Sequence, residues 1–159
     1  MHPLTLLSLL LFPLLTTAQR IKIHNQCSIP IYLTSVSATA VGPVIIAPQG
    51  NFTEPYRFSL STGTAIKIST TKNGILNGGP HLVLGYTYNP DQPDVYYNLD
   101  SAKGFDPLFE DERLLLEPEA PGGQKIVWDG GPGDWETKRF VGETNLVFSL
   151  CGSQEPWNN

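Results

Sequence analysis

The sequence predicts an all-β protein, an antiparallel sandwich of short strands with at most one or two short helical turns. Three observations predict it. Apolar residues alternate with polar ones in short runs, as a half-buried strand requires. Those runs recur about every 8–15 residues and are separated by turn formers, with 15 Gly and 14 Pro in 159 residues. No stretch beyond the N-terminal segment keeps a helical period. The chain is 40% hydrophobic, enough to bury one core and too apolar for disorder.

The elements follow in chain order. Leu4 to Leu15 is an apolar run too short to span a bilayer, and Thr16-Thr17-Ala18 supplies small residues for cleavage. Residues 1–18 therefore read as a signal peptide, and residues 19–159 as a single secreted domain. Ile21 and Ile23 alternate with Lys22 and His24. Ile31, Leu33 and Val36 follow Pro30, and Val44-Ile45-Ile46 lies between two prolines. Thr64 to Thr70 alternates clearly. Further strands are expected at Leu82–Tyr88, Val95–Leu99, Arg113–Leu116, Ile126–Trp128 and Asn145–Leu150, with a helical turn or two near Leu108–Arg113.

Two further features suit an extracellular address. Cys27 and Cys151 are the two cysteines of the chain, and in an oxidising compartment such a pair is expected to be bonded. Asn51-Phe52-Thr53 is a glycosylation sequon placed just after the turn signal Pro48-Gln49-Gly50, which makes Asn51 a candidate glycosylation site on an exposed tip.

Charge and motifs narrow the function. A net charge of −5 argues against nucleic-acid binding, which needs a basic surface to displace phosphate counterions. Asp91 to Glu119 holds nine acids against two bases, so the negative charge is concentrated in one segment. There is no C-x-x-C pair, phosphate-cradling loop or G-x-S-x-G. His24 and His81 have no paired-ligand spacing and read as surface residues. Asp91, Asp94 and Asp100 lack the Gly and Glu pattern of a calcium loop, so no metal or cofactor is expected.

Several segments resemble thaumatin-like proteins. They are Ile23-His24-Asn25-Gln26-Cys27 with Ile29 to Leu33, Asp94-Val95-Tyr96-Tyr97-Asn98-Leu99 followed by Gly104-Phe105-Asp106-Pro107, and Leu146 to Cys151. The ordered set Asn51–Phe58, Ala65–Ile68, Val95–Phe109 and Ile126–Trp128 is similar to the fungal Blastomyces yeast-phase-specific protein family, also described as antigenic thaumatin-like proteins. The resemblance implies a thaumatin-like sandwich. It also brings an acidic β-glucan cleft into question, because the cleft Glu and one cleft Asp fall at Gly85 and Asn98. Asp94 and Asp100 replace them only if the register shifts. The second cysteine pair of the fungal family falls at Gly123 and Phe140.

The candidate residues follow from these readings. Glycoside hydrolysis needs two carboxylates about 5–9.5 Å apart, and Asp94, Asp100 and Asp106 are the catalytic candidates. Sugar binding needs aromatic faces beside hydrogen-bonding groups, which makes Tyr96, Tyr97, Asp94 and Trp135 the ligand-binding candidates. Strand alternation sends one of Tyr96 and Tyr97 into the core. Trp128 is expected in the core, and Trp135 is exposed on the loop Asp129–Trp135. The expectation is a secreted, monomeric, non-enzymatic protein of the fungal surface or surroundings. Its partner is a cell-wall or host glycan. The alternatives are a weak β-1,3-glucanase and a secreted effector or antigen that binds a host surface protein. No membrane contact is expected after leader removal.

Overall fold

The computed structural model describes residues 19–59 and 61–153. The expected leader and Trp157 lie outside the described residues. Among the described residues, eleven strands form two sheets, and the one helical element is a 3₁₀ turn at Pro107–Phe109. The strands are β1 (Arg20–Asn25), β2 (Ile31–Val36), β3 (Ala40–Ile46), β4 (Asn51–Pro55), β5 (Thr64–Ser69), β6 (His81–Asn89), β7 (Asp94–Ala102), β8 (Arg113–Pro118), β9 (Ile126–Asp129), β10 (Lys138–Val141) and β11 (Leu146–Gly152). The five-stranded sheet runs β4-β1-β11-β8-β9 and the six-stranded sheet runs β10-β7-β6-β5-β2-β3.

Alternation builds the core. Ile21, Ile23, Leu114, Leu116, Ile126, Trp128, Leu146, Phe148 and Leu150 project from one sheet, and Ile31, Leu33, Ile66, Ile68, Leu82, Leu84, Val95, Tyr97 and Leu99 from the other. The two sets form one buried cluster, which makes the protein an all-β sandwich. Two strands, β4 and β10, carry no apolar alternation that the sequence announces. Both are sheet edges with one neighbour, so half of their packing constraint is missing.

One pairing departs from the antiparallel expectation. β1 and β11 run parallel, with Ile23 opposite Phe148 and Asn25 opposite Leu150. Parallel alignment brings the ends of both strands to the same side of the sheet. There Cys27, just beyond β1, meets Cys151 in β11, and the disulfide joins Cα atoms 4.9 Å apart across 124 positions of sequence. Cys151 is the extra residue of a bulge between Leu150 and Gly152 and has φ 57°.

Buried polar residues hold the turns. Asn25 is fully buried and donates Nδ2 to the carbonyls of Ile29, Ile46 and Ala47, while its Oδ1 accepts from the Cys27 backbone. Contrary to the surface expectation, His81 is buried, with Nδ1 against the Gly79 carbonyl at 2.8 Å. It opens β6, directly after the loop that ends at Gly79 and Pro80. Gly123 packs so closely on Pro118 that a Cβ there would run into the proline ring.

Candidate functional site

The two outer faces carry the residues not consumed by the core. On the six-stranded sheet, Ala65, Gly85, Thr87, Tyr96 and Asn98 point outward, because their neighbours Ile66, Leu84, Tyr86, Tyr97 and Leu99 point in. With Gly63 and Thr137 they bound an open trough of about 320 Å³. Its floor is Gly85, opposite Asn98 in the β6–β7 register. A Cβ at position 85 would collide with Asn98 Oδ1, so glycine is what lets the Asn98 amide lie across the trough floor. Among the described residues no hydrogen bond holds the side chains of Thr87, Asn98 or Thr137, which leaves their polar atoms available to a ligand.

Tyr96 forms one wall and is 40% exposed. Arg139 on β10 lies over its ring, 5.3 Å from the centroid, and donates Nε to Asp94 Oδ2 at 2.9 Å. A second Arg139 nitrogen approaches the same oxygen at 2.7 Å. The guanidinium thereby fixes the Tyr96 ring from one side and leaves the other for contact. Thr137 also lines the trough, next to β10, and is joined through Glu136 to Trp135, which is 60% exposed at the end of the loop. That loop is anchored from below. Trp128 is fully buried and donates Nε1 to the Asp134 carbonyl at 3.0 Å. Lys138 pairs with Asp134 at 2.7 Å and, through the hydrogen bonds it donates to Asp134 and Glu136, is held above the ordinary lysine range.

The structure sorts the sequence candidates. Tyr96 and Trp135 are exposed. Tyr97 is a correction as a ligand contact: its side chain is fully buried, and its hydroxyl donates to the Gln124 carbonyl. Burial raises its phenol above the ordinary range. Asp94 is buried under Arg139. Asp106 is buried as the cap of the 3₁₀ turn, accepting from the Thr70 backbone and hydroxyl and from Leu108 N. Asp100 is exposed on the same strand as Asp94, but six residues at about 3.3 Å each put the two about 20 Å apart, beyond the reach of one glycosidic bond. The register shift that would let Asp94 or Asp100 replace Asn98 does not occur, since β6 and β7 pair without a break from His81 to Tyr88.

What sequence reasoning missed is the cross-strand pairing of Gly85 with Asn98 and the roles of Thr87, Thr137 and Arg139. The signal was available in part, as a lone glycine inside an alternating strand marks a close approach. Its partner required the register.

Residues 8–152 match the family described as Blastomyces yeast-phase-specific protein. The chain belongs to that family. No curated protein matches this sequence. Among solved structures, the chain is similar to the protein elicitor MoHrip2 from Magnaporthe oryzae, with 21% identity and a TM-score of 0.67 over 85% of this chain and 100% of that one. At that identity the likeness shows a shared fold. For this member of the Blastomyces yeast-phase-specific protein family, the Cys27–Cys151 bridge fits an oxidising, extracellular setting.

Proposed function

We propose that this member of the Blastomyces yeast-phase-specific protein family is a secreted, non-enzymatic protein that binds a neutral glycan in the trough on the six-stranded sheet. The observation that carries the reading is the combination at Gly85: an open floor, the exposed Tyr96 ring, and the uncommitted polar atoms of Asn98, Thr87 and Thr137. A sugar presents an apolar face to an aromatic ring and hydroxyls to amides and alcohols, which is what these walls offer. None of the trough-lining residues is a carboxylate, so the chemistry at hand is hydrogen bonding rather than acid–base cleavage.

The test is a pull-down of residues 19–159 on insoluble β-1,3-glucan and on chitin, with the supernatant assayed for released sugar. Retention without release, lost on Tyr96→Ala, is expected. Release of sugar that falls on Asp94→Asn or Asp100→Asn would replace this reading with the hydrolytic one.

A second reading is favoured by the fold shared with a protein elicitor. In it the chain is an effector that binds a host surface protein through Trp135 and the acidic segment. Binding to host membranes that survives excess soluble glucan and falls on Trp135→Ala would select it.

A further inference from the structure

The five-stranded sheet ends in β4, and β4 carries the sequon. In the β1–β4 register Phe52 faces Ile23 and Glu54 faces Ile21, both inward, while Asn51 faces His24 and Thr53 faces Lys22 on the outer face. Asn51 and Thr53 are exposed, and among the described residues no hydrogen bond holds either side chain. The ladder is bracketed by Asn25 N donating to the Gly50 carbonyl and Tyr56 N donating to the Gln19 carbonyl. Antiparallel pairing alternates, so the even-numbered residues of β4 bond to β1. The backbone groups of Asn51 and Thr53 then face the open edge.

The other three edges are blunted more fully by the chain itself. β3 contains Pro43 and a bulge opposite Leu33–Ser35, and β9 and β10 are four residues long, β10 beginning with Lys138. β4 ends in Pro55, which has no N–H to offer the open edge, so the donors it leaves free are those of Asn51 and Thr53, and its inward charge, Glu54, is satisfied by the Ser35 hydroxyl at 2.6 Å. An edge of this kind recruits another strand unless something covers it.

We propose that Asn51 carries an N-linked oligosaccharide that caps the free β4 edge and keeps the protein monomeric. Asn51 Nδ2 bonds to the anomeric carbon of an N-acetylglucosamine. The bond from that carbon to its lipid-diphosphate donor breaks, and the amide proton leaves with the diphosphate. The inference rests on the reading of the chain as secreted.

The experiment expresses the full chain with its own leader in a eukaryotic secretory host. Intact mass and peptide mapping are compared before and after a peptide N-glycosidase, the amidase that hydrolyses the side-chain amide and leaves Asp at position 51, and sedimentation reads the oligomeric state. Glycan at Asn51 is expected in the wild type and in Thr53→Ser, which keeps the sequon, and is lost in Thr53→Ala. The glycosylated forms are expected to sediment as monomers, and the deglycosylated and Thr53→Ala proteins at twice that mass or more. A chain retained in the cell would fail the secretion reading. A secreted chain bare at Asn51 would overturn the glycan, and a deglycosylated protein as monomeric as the glycosylated one would overturn the capping role.

Discussion

The two outer faces of the sandwich are built by the same two-residue alternation and end in opposite states. On the five-stranded sheet, Lys22 pairs with Glu119 at 2.7 Å and Lys125 with Glu117 at 2.7 Å, so the charged side chains there satisfy one another. On the six-stranded sheet, a glycine opposite an asparagine lies in a trough where, among the described residues, the side chains of Thr87, Asn98 and Thr137 have no internal hydrogen-bond partner. On the first face these two pairs satisfy their own charges. The second has hydrogen-bonding capacity left over beside an aromatic ring. A face becomes a candidate site through what its side chains leave unsatisfied, not through its charge.

The largest expected effect breaks the frame of the first sheet. Cys27→Ser removes a bridge across 124 positions, worth about 5 kcal/mol in the chain-entropy model. Denaturant unfolding should show a loss of this order, and full reduction of the wild type should reproduce it. If the reduced protein is as stable as the oxidised one, the parallel β1–β11 pair holds the termini unaided.

Trp128→Ala comes next, at about 3–5 kcal/mol for an aromatic lost from a packed core. It also frees the Asp134 carbonyl and with it the loop that bears Trp135. Urea unfolding measures the first effect. Faster limited proteolysis within residues 129–137 measures the second.

Asp106→Ala should cost about 2–3 kcal/mol, because Thr70 N and Leu108 N lose their acceptor. Asp100→Asn, on the exposed face, should change stability by less than about 0.5 kcal/mol. This contrast sharpens the assignment of Asp106 as a structural residue, and equal effects would undo it.

Gly85→Ser tests the trough itself. Its Cβ meets Asn98, so glycan retention should fall at least tenfold, whereas Gly123→Ala, which strains the Pro118 contact in the other sheet, should leave retention unchanged.

The smallest effect concerns pH. Hydrogen bonds from Lys22 and then Asn145 hold Glu119 below its ordinary range. A depressed carboxyl contributes stability above its unfolded pKa of about 4.3, and that contribution is lost as pH falls through the lower folded value. Because Glu119 is 49% exposed, solvent screening keeps the gain under about 1 kcal/mol. Glu119→Gln should therefore flatten the acid limb of the stability curve only slightly, as thermal melts between pH 3 and 7 would record.

Much of this molecule was legible in advance because strand alternation is a local property. Ile21 and Ile23, Thr64 to Ser69, and Leu146 to Leu150 show their buried faces without reference to any other segment. Trp128 lies in the core and Trp135, at the end of the glycine-rich loop Asp129–Trp135, is exposed. His81 was not legible. It is buried, with its ring held on the Gly79 carbonyl two residues before it, and nothing in the alternation around it announces this. The edge strands β4 and β10 were missed because an edge needs no complete apolar alternation.

The site divides along the same line. The sequence by itself determined the all-β class, the paired cysteines, the sequon, and the rule that one of Tyr96 and Tyr97 must face inward, since each depends on residue type or on the two-residue repeat. Only the tertiary structure decided which tyrosine turned in, that Asp94 would be taken up by Arg139 and Asp106 by Thr70, and that Gly85 would stand opposite Asn98. Those outcomes depend on register and on partners 13 to 45 residues away, set by how two sheets close over one core.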